Sequence, residues 1–506
     1  MTTATTGTTP TAATLCVDAG TTLIKAVVFD DAGRELVVTR RTTAIRSPRP
    51  GWSEQDMHEV LGAVLECVEE AARQSPLPID ALALTAQGDG AWMLDTAGLP
   101  VGNAVLWNDA RAHDVIDRWT RDGVLEAAFR TNGSLGNLGL PHAILAWTRA
   151  NDPSALDGVA EVTTCGSWIF GSLTGTHGLH ASEASAPWLD IATGTISDDL
   201  LELYGLTDVR SLVPAVLHDD ELTQPLLPEI AERLGLPAGI PVTLAAYDVV
   251  STAFGGGSVA PGSAFCILGT TLCTGILLDA PDTTGEPSGL TLLDGRADAV
   301  VRAFPTLAGT GVIEWMRALL GLADAAELTT LAGEAEPGAS GVRVWPYFSP
   351  AGERAPFLDP AARGVIAGMS FEHTRADLAR ATVEGLAHVI RDCLAASGAS
   401  PSELVLSGGG SASDLWCRSI ADITGVPTRR VDGTQVGAKG ALLAALVASG
   451  RYSSLADAAD ALVATSGIFE PDASRRAFFD ERHDDFLATR AALAERWTAW
   501  AAEPRR

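Results

Sequence analysis

The chain has 506 residues, 46% hydrophobic and 19% charged, with a formal net charge of −28. That length calls for two or more domains with cores of their own. The acidic balance speaks against a nucleic-acid or anionic-membrane partner, which would want clustered Lys and Arg, and no apolar run approaches the ~18 residues that span a bilayer.

Residues 1–14, MTTATTGTTPTAAT, lack the basic region and apolar block of a signal peptide. They read as a polar arm, expected to be disordered. From Leu15 to Asp30 the pattern is strand, Gly-Thr-Thr turn, strand, with a third strand expected over 34–41. Apolar residues at helical spacing (Val60, Val64, Cys67, Val68) predict a helix over 57–73. Short strands are expected over 79–84 and 91–95, then a helix after Asn108-Asp109-Ala110-Arg111. A mixed region of short helices leads to a strand over 240–246, which stops at Tyr247-Asp248. Gly255-Gly256-Gly257 is the expected domain boundary, giving a first domain over 15–257 and a second over 258–506.

The second half repeats the grammar. Cys266 to Leu278 is again strand, Gly269-Thr270-Thr271, strand. A long helix is expected over 378–394, with Thr374 as N-cap and Asp377 three residues on. A buried strand at 404–406 runs into Ser407-Gly408-Gly409-Gly410, and Gly437-Ala438-Lys439-Gly440 precedes an apolar helix over 441–448. A charged, largely helical tail is expected from about residue 467. The seven cysteines are widely spaced and form no CxxC, so they read as reduced, buried thiols of a cytoplasmic protein.

Several of these segments have the chemistry of a phosphate site. A Gly-Thr-Thr turn offers backbone N–H groups and two hydroxyls to one point in space, and its small residues let phosphate oxygens approach. Asp18 precedes the first turn, where a carboxylate can hold Mg²⁺ through water. Lys25 can bring a cation to a transferring phosphoryl group. The second turn carries no such charge, which suits a grip on phosphates already bound. Glycines at 408–410 let a flat ligand such as adenine or ribose lie close to the backbone, and Gly437–Gly440 adds weight to that loop.

Asp248 closes a strand and opens a helix, a position that suits a general base for a substrate hydroxyl and equally a helix N-cap. Gln87-Gly88-Asp89-Gly90 and Trp107-Asn108-Asp109-Ala110-Arg111 follow apolar strands and can surround a small polyol, Trp107 supplying an apolar wall. Each can also be read as a solvated loop. There is no P-loop, no protein-kinase signature and no dinucleotide-binding fingerprint.

Taken in order, DAGTTLIKAVVFD, GWSEQDM, AQGDGAWMLD, WNDARA, AAYDVVSTAFGGG, LGTTLCTG, SPAGERAPFLDPAARGVIAGM and LSGGGSASDLWCRSIADITGVP resemble the FGGY carbohydrate kinases, from about Leu15 to Gly450. The resemblance implies an α/β fold of two actin-like (ribonuclease H-like) domains with mixed sheets around an interdomain cleft. The sugar would bind mainly to the first domain and ATP mainly to the second. By motif match, Asp18 is the Mg²⁺-linked acid, and Gly20, Thr21, Thr22 and Lys25 meet the γ-phosphate. Lys25 stands where several relatives carry Arg, keeping the charge but losing the fork. Asp248 matches the catalytic base. Gly269, Thr270, Thr271 and Gly309 match the phosphate side. Gly409, Gly410, Ser413 and Asp414 match the adenine side, where other members have Asn or Glu in place of Asp414.

Gln87, Gly88, Asp89, Trp107, Asn108, Asp109 and Asp248 are the expected sugar-site residues. Gln-Gly-Asp-Gly departs from the Gln-Met-His-Gly of D-xylulose kinases and the Gln-Arg-Glu of glycerol kinases. Together with YDVVSTA it is most similar to the erythritol kinases and the L-xylulose kinase-like branch. The expected reaction is ATP- and Mg²⁺-dependent phosphorylation of a terminal hydroxyl on a four- or five-carbon polyol or ketose, with no nucleic-acid or membrane partner. A homodimer is compatible with this reading. The competing reading is a non-catalytic actin-like ATP-driven switch or filament protein. It would keep both Gly-Thr-Thr turns but would not need the polyol-binding segments or Asp248.

Overall fold

The computed structural model describes residues 12–295 and 300–501. Its described residues form two compact units. The first takes them from Met1–Gly257, Leu292–Asp298 and Gln435–Val463, the second from Ser258–Thr291, Ala299–Thr434 and Ala464–Arg506. The arm expected over 1–14 lies, up to residue 11, outside the described residues, and Ala13 already begins a strand.

The first unit is built on β1 (Ala13–Ala19), β2 (Leu23–Asp30), β3 (Glu35–Thr42), β4 (Ile79–Ala86), β5 (Thr223–Pro225) and β6 (Pro241–Leu244). They form one mixed sheet in the order β5-β6-β4-β1-β2-β3. β1 runs antiparallel to β2 and parallel to β4, which in turn runs parallel to β6. β1 and β2 read as near-continuous apolar runs because both sheet faces are covered. Helix α1 (Met57–Gln74) buries Val60, Val64, Cys67, Val68 and Ala71, the stripe its spacing predicts. Asp56 caps it, accepting from the N–H groups of His58 and Glu59.

Helix α2 (Asp248–Gly255) follows β6, and helix α3 (Val436–Ala448) packs against it. α3 departs from the expected boundary at 258. Ala438, Ala441, Leu442 and Ala445 are buried in one cluster with Cys16, Val27, Phe29 and Ala83 of the first sheet. Its apolar surface needs that sheet, so 435–463 returns to the first unit. Gly437–Gly440 is likewise the first turn of this helix rather than a loop before it, and a Cβ on Gly437 would lie 3.2 Å from Oδ2 of Asp18. The Lys439 ammonium donates to the carbonyl of Gly33 and lies 4.7 Å from the Phe29 ring centroid, a strap within the first unit.

The second sheet contains β7 (Ser263–Leu268), β8 (Leu272–Leu278), β9 (Leu290–Leu293), β10 (Val300–Pro305), β11 (Glu403–Ser407), β12 (Thr428–Val431) and β13 (Thr465–Phe469). Their order is β9-β10-β8-β7-β11-β12-β13. β7 pairs antiparallel with β8 and parallel with β11, as β1 does with β2 and β4. The duplicated strand–turn–strand thus holds the same place in both sheets.

The long helix is Arg375–Ala396, with the capping box the sequence predicts: Asp377 accepts from the Thr374 N–H and hydroxyl, both at 2.8 Å. The tail is helical over Arg476–Ala501, but 465–469 is an edge strand paired with β12, which a five-residue run did not announce. All seven cysteines are buried and unbridged, and no described helix is long and apolar enough to cross a membrane.

Candidate active site

In the first unit the β1–β2 hairpin sets Asp18 directly across from Lys25, because a two-residue side-chain period puts both on one face. Nζ of Lys25 lies 3.4 Å from Oδ2 of Asp18. Burial pushes the Asp18 carboxyl above the usual carboxylate range, and the Lys25 charge opposes that rise.

The turn between them is tied to two of the segments expected to bind the sugar. The Thr21 hydroxyl donates to Oε1 of Gln87 at 2.6 Å and accepts from the Trp107 indole at 3.0 Å. The Thr21 carbonyl accepts from the Gln55 amide at 2.6 Å and the Thr43 hydroxyl at 2.7 Å. Gln87 closes the circuit by donating to Oε1 of Gln55 at 2.8 Å. Thr21 therefore spends its side chain on framing Gln87 and Trp107, while Thr22 is exposed. Gln55 lies in the GWSEQD loop, whose polar cluster shows no local signal of this role.

Gln87 and Gly88 are buried at the end of β4. Asp89 adopts a left-handed backbone, φ 59°, rare for a side chain larger than glycine's. Trp107 is half-buried and Asn108 exposed. Asp109 is fully buried. Its oxygens accept from the Ser53 N–H at 2.6 Å and from the Arg111 guanidinium at 2.9 Å. Arg111 also reaches Glu54 at 2.6 Å and covers the Trp52 ring at 3.9 Å from its centroid. Asp109 is thus an anchor for the loop carrying Trp107.

Asp248 is the first residue of α2. Tyr247 holds the N-cap position, so Asp248 is not the cap. The residue is half-buried, and its carboxyl is pushed up to about 8. Burial is the main cause. The charges of Asp18, Asp89 and Glu183 add to it, and the Val249 N–H works against it. Position is held from behind. The Tyr247 N–H donates to the Ser182 hydroxyl at 3.2 Å, and that hydroxyl lies 2.8 Å from Nδ1 of His180.

Glu183 was missed by sequence reasoning. It is buried, accepts from the Ser167 hydroxyl at 2.8 Å, and is pushed up to about 7, chiefly by burial. The only local signal is a lone acid in the small-residue run ASEASAPW.

In the second unit the turn Gly269-Thr270-Thr271 is gripped by the start of the helix Thr310–Leu319. The Thr310 N–H donates to the Gly269 carbonyl at 2.9 Å and the Gly311 N–H to the Thr270 carbonyl at 3.0 Å. Gly309 must lack a side chain, because a Cβ there would sit 2.5 Å from the Thr270 carbonyl oxygen. The two hairpins differ in register. The first turn spans 20–23 and the second 269–271, so Thr274 faces Cys266, a buried neutral pair at 3.3 Å. No charge is missing at that position, since a buried ion there would have no counterpart.

Gly408–Gly410 lies beside the same turn: a Cβ on Gly408 would meet the Leu268 carbonyl at 2.8 Å, whereas Gly409 faces open space. A Cβ on Gly410 would lie 2.4 Å from the Trp416 ring. Ser413 caps the helix Asp414–Thr424, and Asp414 pairs with Arg430 at 2.8 Å. Glu353 buttresses the segment before Gly309, accepting from the Leu307 N–H at 2.6 Å, and burial pushes it up to about 7.

In the second unit the donor set at Gly269-Thr270-Thr271 fits nucleotide phosphates. Among the described residues no group of three or more His, Cys, Asp or Glu forms a metal cage. Mg²⁺ keeps most of its waters and takes one or two carboxylates plus substrate phosphates. Asp18 fits that mode, and the mutual repulsion that raises Asp248 beside Asp18 is what a divalent cation would relieve.

Models of the FGGY family of carbohydrate kinases match residues 13–255 (N-terminal domain) and 264–449 (C-terminal domain). The chain is 30% identical over 507 residues to the erythritol kinase of Brucella abortus (strain 2308), covering 95% of this chain and 96% of that protein. It is 28% identical over 496 residues to the L-xylulose/3-keto-L-gulonate kinase of Escherichia coli (strain K12), covering 95% and 97%. Gluconate kinase from Lactobacillus acidophilus superimposes with a TM-score of 0.90 over 97% of this chain and 99% of that one, at 21% identity, a likeness of fold alone.

Proposed function

Because the chain belongs to the FGGY family of carbohydrate kinases, we propose that it transfers the γ-phosphate of ATP to a terminal hydroxyl of a four- or five-carbon polyol or ketose, with Asp248 as general base. That it is a carbohydrate kinase follows from the family. The acceptor and the base are carried by a single observation: a carboxyl at the start of α2, just beyond β6, raised by burial and by three other acids, in the unit that also frames Gln87 and Trp107 through Thr21.

Asp248 accepts the proton of the acceptor hydroxyl as that oxygen attacks phosphorus. Lys25 neutralises charge on the group in transfer, and Asp18 would hold Mg²⁺ through water; the ion, when bound, supplies charge neutralisation on the phosphates. In the second unit Gly269, Thr270, Thr271 and Gly309 bind nucleotide phosphates, and Gly409, which faces open space, leaves room for the nucleoside, while Gly410 lets the Trp416 ring close up beneath it. Trp107 walls the acceptor. Trp107→Phe keeps the ring and loses its bond to Thr21, so it should raise the acceptor KM by roughly two- to tenfold, the worth of one net hydrogen bond, with a smaller change in kcat. An unchanged KM would remove Trp107 from the site.

The deciding experiment is a screen of tetritols, pentitols and pentuloses for acceptor-dependent ADP release. ADP release should depend on one of these acceptors. Polyol-independent ATP turnover, or assembly on ATP alone, would favour the actin-like switch instead. The base must be ionised to act, so kcat/KM for the acceptor should climb as pH rises to about 8 and level off above it. A profile flat from pH 6 to 9 would remove Asp248 from the base role.

A further inference from the structure

In the second unit β10 stops pairing with β8 at Pro305, which lies across from Cys273. Beyond that point the backbone running to Gly309 needs partners outside the ladder. Leu272, the residue after the Gly269-Thr270-Thr271 turn, provides two. Its carbonyl accepts from the Thr306 N–H at 2.9 Å, and its N–H donates to the Ala308 carbonyl at 2.8 Å. Two more come from adjacent side chains of a loop some 46 residues away. Glu353 accepts from the Leu307 N–H at 2.6 Å, and Nε of Arg354 donates to the Pro305 carbonyl at 2.8 Å.

That loop has a fixed shape of its own. Glu353 and Asp359 exchange backbone hydrogen bonds, both at 2.9 Å. Gly352 before them has φ 81°, and a Cβ there would lie 2.2 Å from the Asp359 carbonyl oxygen. Oε1 of Glu353 also accepts from the Arg354 N–H at 2.9 Å, and the residue is 1% exposed. Glu353 therefore reaches the 307–309 segment from a firm base and out of water.

We propose that Glu353 is a positioning residue for the nucleotide: by holding the Leu307 N–H it keeps Gly309 seated on the Thr270-Thr271 turn, and so sets the grip on nucleotide phosphates without touching the nucleotide. This rests on the reading that gives the phosphates to Gly269, Thr270, Thr271 and Gly309. A buried N–H without an acceptor is costly. With Glu353 gone, the segment is relieved by swinging Leu307 toward water, and Gly309, two residues on, moves with it. A nucleotide must then draw the segment back and bury the N–H again. That cost corresponds to roughly 5- to 100-fold in affinity.

The test measures ADP and adenosine binding by calorimetry, with Mg²⁺ present, for the wild type, Glu353→Ala and Glu353→Gln. Glu353→Ala should bind ADP roughly 5- to 100-fold more weakly and adenosine within about twofold of wild type, because only phosphates meet the turn. Its KM for ATP should rise with a smaller change in kcat. Glu353→Gln keeps an oxygen for the Leu307 N–H and should recover most of the ADP affinity. If Glu353→Ala does not fold, Glu353→Asp takes its place: the charge stays, the reach is one methylene shorter, and the same split between ADP and adenosine is expected. ADP affinity unchanged in the variant tested overturns the proposal. So does an equal loss for ADP and adenosine, the mark of a damaged unit. In either case the kinase reading stands. A wild type that binds ADP no better than adenosine overturns the phosphate reading and this proposal with it.

Discussion

Asp248→Asn should fold, bind nucleotide and lose acceptor phosphorylation by about 10²- to 10⁴-fold, the usual worth of a general base. The amide has nearly the carboxylate's shape, so Tyr247 and its anchor at Ser182 should stay in place. What disappears is the acceptor for the hydroxyl proton. The same substitution should stabilise the protein, with a pH signature. The folded-state pKa of Asp248 is raised to about 8, against roughly 3.9 for an unfolded-chain Asp. Between these values the folded state holds a proton that the unfolded state has released. The stability gradient with pH is then negative: this group erodes stability as pH rises from about 4 to about 8. Asparagine carries no such penalty. The variant should therefore melt higher than wild type at pH 8, with the gap closing toward pH 5. Wild-type turnover in the variant would sink the base assignment, and identical melting at pH 8 would sink the burial argument.

Gly255→Ala and Gly440→Ala should each destabilise the first unit by more than about 3 kcal/mol, above the usual range for overpacking. The two glycines are where α2 and α3 touch. A Cβ on Gly255 would stand 1.9 Å from the Val436 carbonyl oxygen, and one on Gly440 would stand 1.8 Å from that of Ser251. Both obstacles are backbone, which gives only if a whole helix shifts. Alanine is ordinarily better than glycine inside a helix by about 0.5–1 kcal/mol, so the expected sign is opposite to the propensity rule. Gly62→Ala in α1 is the control, because nothing lies within 4 Å of its Cβ position. It should be neutral or stabilising. The melting temperature reads both, at about 2–4 °C per kcal/mol for a unit of this size. Since α2 begins with Asp248, the protein that stays folded should also turn over more slowly. Gly255→Ala melting like wild type would show that the helices have room to part.

Much of this protein was legible as sequence. The Gly-Thr-Thr turns lie between apolar runs in both halves, and both halves did form a hairpin beside a parallel strand, in different registers. The Thr374–Asp377 cap, the α1 stripe and the strand-to-helix switch at Tyr247-Asp248 rest on residues within a few positions of one another. Periodicity, caps and turns are local, so a one-dimensional reading reaches them. The placement of Asp18 across from Lys25 also follows from a short hairpin.

The rest depended on residues far apart in the chain. Gly437–Gly440, read alone, adds weight to a glycine loop for adenine or ribose. It became a helix in the first unit because the apolar surface of α3 needed the sheet around Cys16 and Phe29. Gly88 is a gap in a motif until Tyr247 arrives from about 160 residues away to fill it. Glu183 is one acid among many until burial raises its carboxyl. The local elements, and the residues able to bring charge, hydroxyls and bare backbone to a phosphate and a polyol, are written along the chain. Which of them are buried together is set by the fold, because desolvation and close packing are properties of neighbours in space.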